Sequence, residues 1–333
     1  MHTKIPARPE RRPIPSLLTP PLLLLLGLVL AGCGGVDTVD EAADSSPSAD
    51  EQFPTEVLSG PVDGHTEITI KDQPAKIVSL SPTATEMLWE IGAGDQVVAV
   101  DDQSDYPKDV PTTKLSGYEP NVEAVLEYEP DLVVAADDTG DLVANLEKAR
   151  VPTLLLPAAD DLEETYSQME RLGAATGHTD EAEQDVTGMR EEIEQALADA
   201  PDAKGLTYFH ELTPDLYSAS SSTFIGEVYG LFGLKNIADR SKVQDDYPKL
   251  SREYVVQADP DLVFLADSQC CDVSVADVEK RPGWAQVAAV DDEQVHVVDE
   301  DVASRWGPRV VDFVQQVSDI LAEREAALGG ASG

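Results

Sequence analysis

Residues able to carry chemistry are few and widely spaced in this chain. Beyond residue 33 the histidines are His65, His178, His210 and His296, too scattered for the cage of imidazoles that a bare zinc ion needs. There is no phosphate-cradling glycine loop, nucleophile elbow or His-Glu zinc helix, and the acidic groups show no acid/base pairing pattern. No catalytic, cofactor or resident-metal role is therefore expected. What remains suits recognition. Ligands in open α/β sheets sit beyond the carboxyl ends of strands, so residues that follow the apolar runs are the candidates: Ser81, Thr83, Asp105, Tyr106, Tyr118, His210, Ser222, Tyr247, Arg305 and Trp306. Hydroxyls, aromatics and some carboxylates dominate, and Arg305 is nearly the only base. A tri-anionic ferric catecholate needs several Arg or Lys counter-charges, so a neutral or cationic ligand fits better. The faces of Tyr106, Tyr247 and Trp306 suit a broad, partly apolar macrocycle. His210 can either coordinate a metal inside such a ligand or serve as a structural donor.

A second chemical feature is the adjacent pair Cys270-Cys271. It can close a vicinal disulfide that rigidifies a loop, act as a redox pair, or remain as two thiols. It follows an apolar run ending at Asp267, which places it at a cleft mouth.

The elements that must position these residues are legible from an internal repeat. Residues 121–137 and 251–267 align without gaps at an offset of 130, sharing Glu123/Glu253, Val125/Val255, a Pro-Asp-Leu-Val block and Asp137/Asp267. Each copy reads as a short helix, a Pro-Asp turn and a continuous apolar strand, the pattern of a parallel sheet covered on both faces. Two copies so far apart predict two α/β lobes of one architecture rather than a short-period solenoid. Further strands are expected at 76–80, 97–100, 153–156, 206–209 and 295–298. Residues 161–199 carry no strand signal. A helix from Thr179 to about Ala198 would be ~30 Å long and would join the lobes as a stiff spine.

The N-terminus addresses the compartment. Lys4, Arg8, Arg11 and Arg12 precede an apolar run from Leu17 to Leu30, too short to span a bilayer and ordered like an export signal. The closing Leu30-Ala31-Gly32-Cys33 resembles a bacterial lipobox, which implies diacylated Cys33 as the new N-terminus and an extracytoplasmic protein held to the cell membrane by lipid alone. Residues 34–60 are small and acidic, expected to be a disordered tether. The formal net charge of −41 argues against nucleic acid, whose binding requires phosphate neutralisation, and against direct docking on anionic lipid.

The ordered series Ile77-Val78-Ser79-Leu80-Ser81-Pro82, Glu86, Ser104-Asp105-Tyr106-Pro107, Ser222-Thr223-Phe224-Ile225-Gly226, Tyr247-Pro248-Lys249-Leu250 and Gly307-Pro308-Arg309 resembles the periplasmic-binding family serving iron–siderophore, haem and vitamin B12 importers. The resemblance covers about residues 70–322. It implies two Rossmann-like lobes with parallel sheets, bridged by a backbone helix over a shallow cleft: an N-terminal lobe at 61–175, the helix at 176–199 and a C-terminal lobe at 200–325. It implies as partners an ABC permease dimer with its ATPase subunits and a small metal-chelate ligand, cobalamin or a ferric hydroxamate, bound by a monomer. Haem binding, or a surface adhesin of the same fold, is the alternative. Glu123 and Glu253 match the family's permease-docking glutamates. Ser104-Asp105-Tyr106-Pro107 is most similar to the vitamin B12-binding members, although those carry tryptophan where this chain has Tyr247 and near Gly117.

Overall fold

The computed structural model describes residues 52–330, apart from Gln244 and the side chains of 328–330. Cys33 and most of the expected tether lie outside the described residues. The tether as predicted runs too far, because an antiparallel hairpin, β1 (Thr55–Ser59) with β2 (Thr66–Ile70), is already folded. Alternation supplies the reason: Val57 and Ile70 are buried while their strand neighbours face solvent. Ser59 and Gly60 tie the hairpin to the end of the first lobe's sheet.

That sheet comprises β3 (Ile77–Leu80), β4 (Val97–Val100), β5 (Leu132–Ala135) and β6 (Thr153–Leu155), all parallel in the order β4-β3-β5-β6. Helices α1 (Pro82–Glu90), α2 (Val122–Leu126), α3 (Leu142–Lys148) and α4 (Leu162–Thr176) connect and follow the strands. The long α5 (Thr179–Asp199) then leads into the second sheet. Its strands are β7 (Thr207–Glu211), β8 (Lys235–Asn236), β9 (Leu262–Leu265) and β10 (Val295–Val297), parallel in the order β10-β9-β7-β8. Its helices are α6 (Phe224–Leu231), α7 (Arg252–Ala258), the short α8 (Ser268–Cys271), α9 (Val275–Glu279), α10 (Ala288–Asp291) and α11 (Glu300–Ser304), and α12 (Val310–Gly330) ends the described chain. Counted within each lobe, both sheets have the same strand order, second-first-third-fourth.

The 130-residue repeat is the helix leading into the third strand of each lobe together with that strand, α2–β5 and α7–β9, and the structure explains its Pro-Asp. The backbone N–H of Asp131 donates to Lys76 O at 2.8 Å, and that of Asp261 donates to Thr207 O at 2.9 Å. Each aspartate carboxylate also accepts from the start of the first strand, Asp131 from Lys76 N and Asp261 from Thr207 N. The aspartate staples the third strand in register beside the first. The preceding turn residues Glu129 and Asp259 share a left-handed backbone, φ 52° and 50°.

Helix α5 buries Ala182, Val186, Met189, Ile193 and Ala196, spaced alternately four and three residues apart, the seam of a helix gripped lengthwise. It packs on α4 and α12, where Ser318 Oγ donates to Ala196 O. The expected spine exists and is one of three packed helices. Its first turn crosses α4 closely, and a Cβ placed on Gly173 would lie 2.5 Å from Ala182 Cβ and 2.8 Å from His178 O. Gly173→Val is predicted to destabilise the fold by about 1–3 kcal/mol through overpacking. A lowered urea midpoint at unchanged slope would show it, and an unaltered midpoint would contradict the packing.

Candidate functional site

The carboxyl ends of β3 and β4 carry the first-lobe candidates. Ser81 is the N-cap of α1, its hydroxyl accepting from Ala84 N, and both Ser81 and Thr83 are buried. Behind them Thr85 Oγ1 lies 2.8 Å from Ser79 Oγ and 2.9 Å from Ser104 Oγ, and the Ser104 hydroxyl donates to Asp101. This buried hydroxyl chain fixes the loop that carries Asp105 and Tyr106, both exposed at its surface.

One turn into α1 stands Glu86, with its side chain almost wholly buried. Its carboxylate accepts from Arg305 Nη1 at 2.7 Å and from Arg309 Nε and Nη2 at 2.9 and 2.6 Å. Both arginines come from the second lobe's last segment, at and beyond the end of α11, so this clamp crosses between lobes. Arg305 also donates to Asp301 at 2.9 Å and to Asp105 at 3.3 Å. Arg309 lies 4.2 Å above the Tyr106 ring, within cation–π range. Trp306 completes the crossing by donating Nε1–H to Gln168 Oε1 on α4 at 3.1 Å. Arg305 is thus a correction to the expected lining: it is sequestered by three carboxylates rather than free for a ligand.

On the second lobe, Ser222 Oγ donates to Asp246 at 2.6 Å and shares a 2.7 Å bond with Ser220. Ser218 and Ser220 N–H groups donate to Pro248 O and Asp246 O, pinning the loop that displays Tyr247. The close turn requires glycine at 226, where a Cβ would sit 2.2 Å from Ser220 O. Burial first, and then the charges of Asp246 and Asp160, raise the Tyr247 pKa. Tyr106, Tyr247 and Tyr118 are 44%, 52% and 79% exposed. The structure therefore gathers Ser81, Thr83, Asp105, Tyr106, Arg305 and Trp306 around one crossing, and Ser222 and Tyr247 on one loop pair. Tyr118 is the most exposed of the three tyrosines and follows Gly117, which packs against Leu80 O and Asp101.

His210 is the second correction. Strand β7 runs two residues further than expected, so His210 lies inside the sheet, wholly buried, with Nδ1 2.9 Å from Tyr229 Oη. Burial lowers its pKa to about 3, which keeps it neutral and away from solvent. The next residue, Glu211, belongs to a group the sequence did not reveal. It is fully buried and takes a bidentate pair from Arg281, 2.5 Å on each side. Asp267, also fully buried at the end of β9, has no hydrogen-bond partner for either carboxylate oxygen. Burial, reinforced by the Glu211 charge and opposed by Arg281, pushes the Asp267 pKa up to about 7. Beyond it, Cys270 and Cys271 form a disulfide in α8, and Gln269 donates to Asp299, the N-cap of α11.

Residues 77–302 match the model of the periplasmic binding protein family. The chain belongs to that family. It is 32% identical over 310 residues to an uncharacterized ABC transporter substrate-binding lipoprotein, YvrC, of Bacillus subtilis, an alignment covering 90% of this chain and 95% of that one. A cobalamin-binding protein of Halobacterium salinarum is 34% identical over 220 residues, 63% of this chain and 59% of that one. The crystal structure of the vitamin B12-binding protein BtuF of Vibrio cholerae shares the fold, with a TM-score of 0.65 at 24% identity over 76% of this chain and 98% of that one.

Within this family fold, Glu123 and Glu253 occupy equivalent places. Each is exposed in the first turn of α2 or α7, behind an N-cap, Asn121 or Ser251, that accepts from the backbone three residues on at 3.1 Å. Val125 and Val255, two residues later, are both fully buried, so the two helices present the same face outward.

The raised Asp267 pKa has a consequence for stability. The unfolded chain loses this proton near the ordinary carboxyl value, whereas the folded chain keeps it to about pH 7. The stabilisation is complete at low pH and lost as pH rises toward 7. Asp267→Asn is predicted to flatten the fall in melting temperature between pH 5 and pH 8. Parallel melting curves for wild type and variant would contradict it.

Proposed function

We propose that this chain is a lipid-anchored extracytoplasmic solute-binding protein of an ABC importer, which binds one corrinoid and delivers it to the permease dimer. The observation that carries the ligand class is the neutralised clamp: Arg305 and Arg309 face Glu86, Asp105 and Asp301, leaving no uncompensated cation there for a strongly anionic chelate. Exposed aromatic faces from both lobes, Tyr106 and Tyr247, offer stacking surface to a large flat ligand. The family and the cobalamin-binding relative support the same reading. With His210 buried, a haem-binding alternative would need another axial ligand. Anchoring rests on the lipobox-like Ala31-Gly32-Cys33, and delivery on the matched Glu123 and Glu253, whose pseudo-two-fold placement suits a two-fold partner.

Protein lacking residues 1–33 is predicted to bind cobalamin with one-to-one stoichiometry, read by quenching of tryptophan fluorescence. A ferric hydroxamate or haem binding more tightly than cobalamin would reassign the ligand, and flat titrations for all three would refute the chelate reading. For delivery, Glu123→Arg combined with Glu253→Arg is expected to abolish uptake into proteoliposomes holding the permease and ATPase while the ligand Kd stays within twofold. Surviving uptake would overturn the docking assignment.

A further inference from the structure

The chain between β8 and α7 segregates its charges in a way that neither the ligand nor the paired glutamates explain. Residues 235–252 contain Lys235, Arg240, Lys242, Lys249 and Arg252, a dense group of cations in a protein of net charge −41. The acids of the same stretch turn one way. Asp239 accepts from Ser221 N at 2.9 Å and Asp246 from Ser222 Oγ at 2.6 Å on the serine loop, and Asp245, which accepts from Tyr247 N in its own turn at 3.2 Å, lines the same hollow as those serines. Three of the five cations turn the other way, for Arg240, Lys242 and Lys249 line a groove of about 630 Å³ between edge strand β8 and α7, while Lys235 lies on the side of Ser221 and Asp239. Arg240 and Lys242 make no ion pair among the described residues, and Lys249 has a single long one, 3.4 Å to Asp215.

The groove is also apolar underneath. Ile237 and Leu250 are buried in its floor, and Val243 is exposed on its wall. Tyr254 from α7 closes it by donating to Ile237 O at 2.6 Å. Glu253 stands in the same lining. A concave surface with an apolar floor and a cationic rim, on a body otherwise repelling anions, selects a segment that is acidic and apolar together. Electrostatic complementarity of this kind governs partner choice and encounter rate, and on so acidic a background its contrast is large.

We infer that this groove is a second docking element for the membrane partner, receiving a carboxylate-bearing segment of the permease alongside the contact made by Glu253. The inference rests on the docking reading and extends it from two matched points to an asymmetric third, which lets a pseudo-symmetric protein land in one of two orientations. The equivalent edge of the first lobe, at β4, is built differently, since the loop at 101–121 runs beside it and bridges Asp101 to Leu115.

The test uses the corrinoid-loaded chain titrated against its permease–ATPase complex in lipid nanodiscs. Arg240→Glu with Lys242→Glu is expected to weaken that binding at least tenfold, with corrinoid Kd and melting temperature unchanged. Lys242→Gln, which removes one exposed charge, is expected to weaken it about threefold and to reduce its dependence on salt. Lys148→Glu, a charge reversal on exposed α3, is expected to change nothing. Transporter binding within twofold of wild type for the double reversal, while Glu123→Arg with Glu253→Arg abolishes it, would overturn the groove and leave the paired glutamates standing. No effect from either would overturn both. Concentration-dependent dimerisation that the double reversal dissolves would assign the groove to a second copy of the chain and overturn the inference.

Discussion

One buried carboxylate holds this molecule's geometry. Glu86, on the first helix of the first lobe, is gripped by Arg305 and Arg309 from the far end of the second. Removing one partner of a buried charge cluster costs about 3–5 kcal/mol, because the charges left behind remain desolvated and unpaired. That is a large share of the 5–15 kcal/mol by which a domain is typically stable. The lobes cannot separate at this point without paying it, and α5 with its two flanking helices resists bending on the other side. A ligand consequently meets a cleft that is largely made, and loses little affinity to closing it.

The two lobes are equal in plan and unequal in chemistry. Asp131 and Asp261 staple their sheets in the same way, and α2 and α7 repeat each other in exposure as well as in sequence. At the carboxyl ends of the strands the likeness stops. The first lobe packs hydroxyls there, Ser79, Thr85 and Ser104, around Asp101. The second packs Glu211, Asp267 and Arg281. Asp137 and Asp267 are matched in the repeat, yet the first is exposed and the second buried. Duplicated backbone geometry has been kept while the surfaces that meet across the cleft have diverged.

Much of this plan could be read before the structure, since hydrophobic runs and the 130-residue repeat report local backbone preference. Strands β3, β4, β5, β6, β9 and β10 and the long helix lie close to where periodicity places them. Two-residue β8 was missed because two residues carry no period. His210 was misplaced because an apolar run of Leu206 to Phe209 says where burial begins, not that a histidine and a glutamate continue the same strand inside. The clamp was hidden for a different reason. Glu86 and Arg309 are 223 residues apart, and a single sequence marks neither as the other's partner. The four-residue spacing of Arg305 and Arg309, beside Asp301 and Glu300, was the available hint that these cations are internally compensated.

The packing of α12 along α5 also dictates when the molecule can finish folding. Until α12 docks, the α5 seam of Val186, Met189 and Ile193 has α4 as its main cover. The remaining cover, Phe313, Val314 and Val317, comes from α12, and the arginines that bind Glu86 immediately precede it. Non-local closure of this kind is slow and leaves apolar surface open in the meantime. The arginines that tie the lobes through Glu86 and the apolar residues that cover the spine therefore belong to one continuous stretch, so the lobes are locked and the spine is covered by the docking of the same segment.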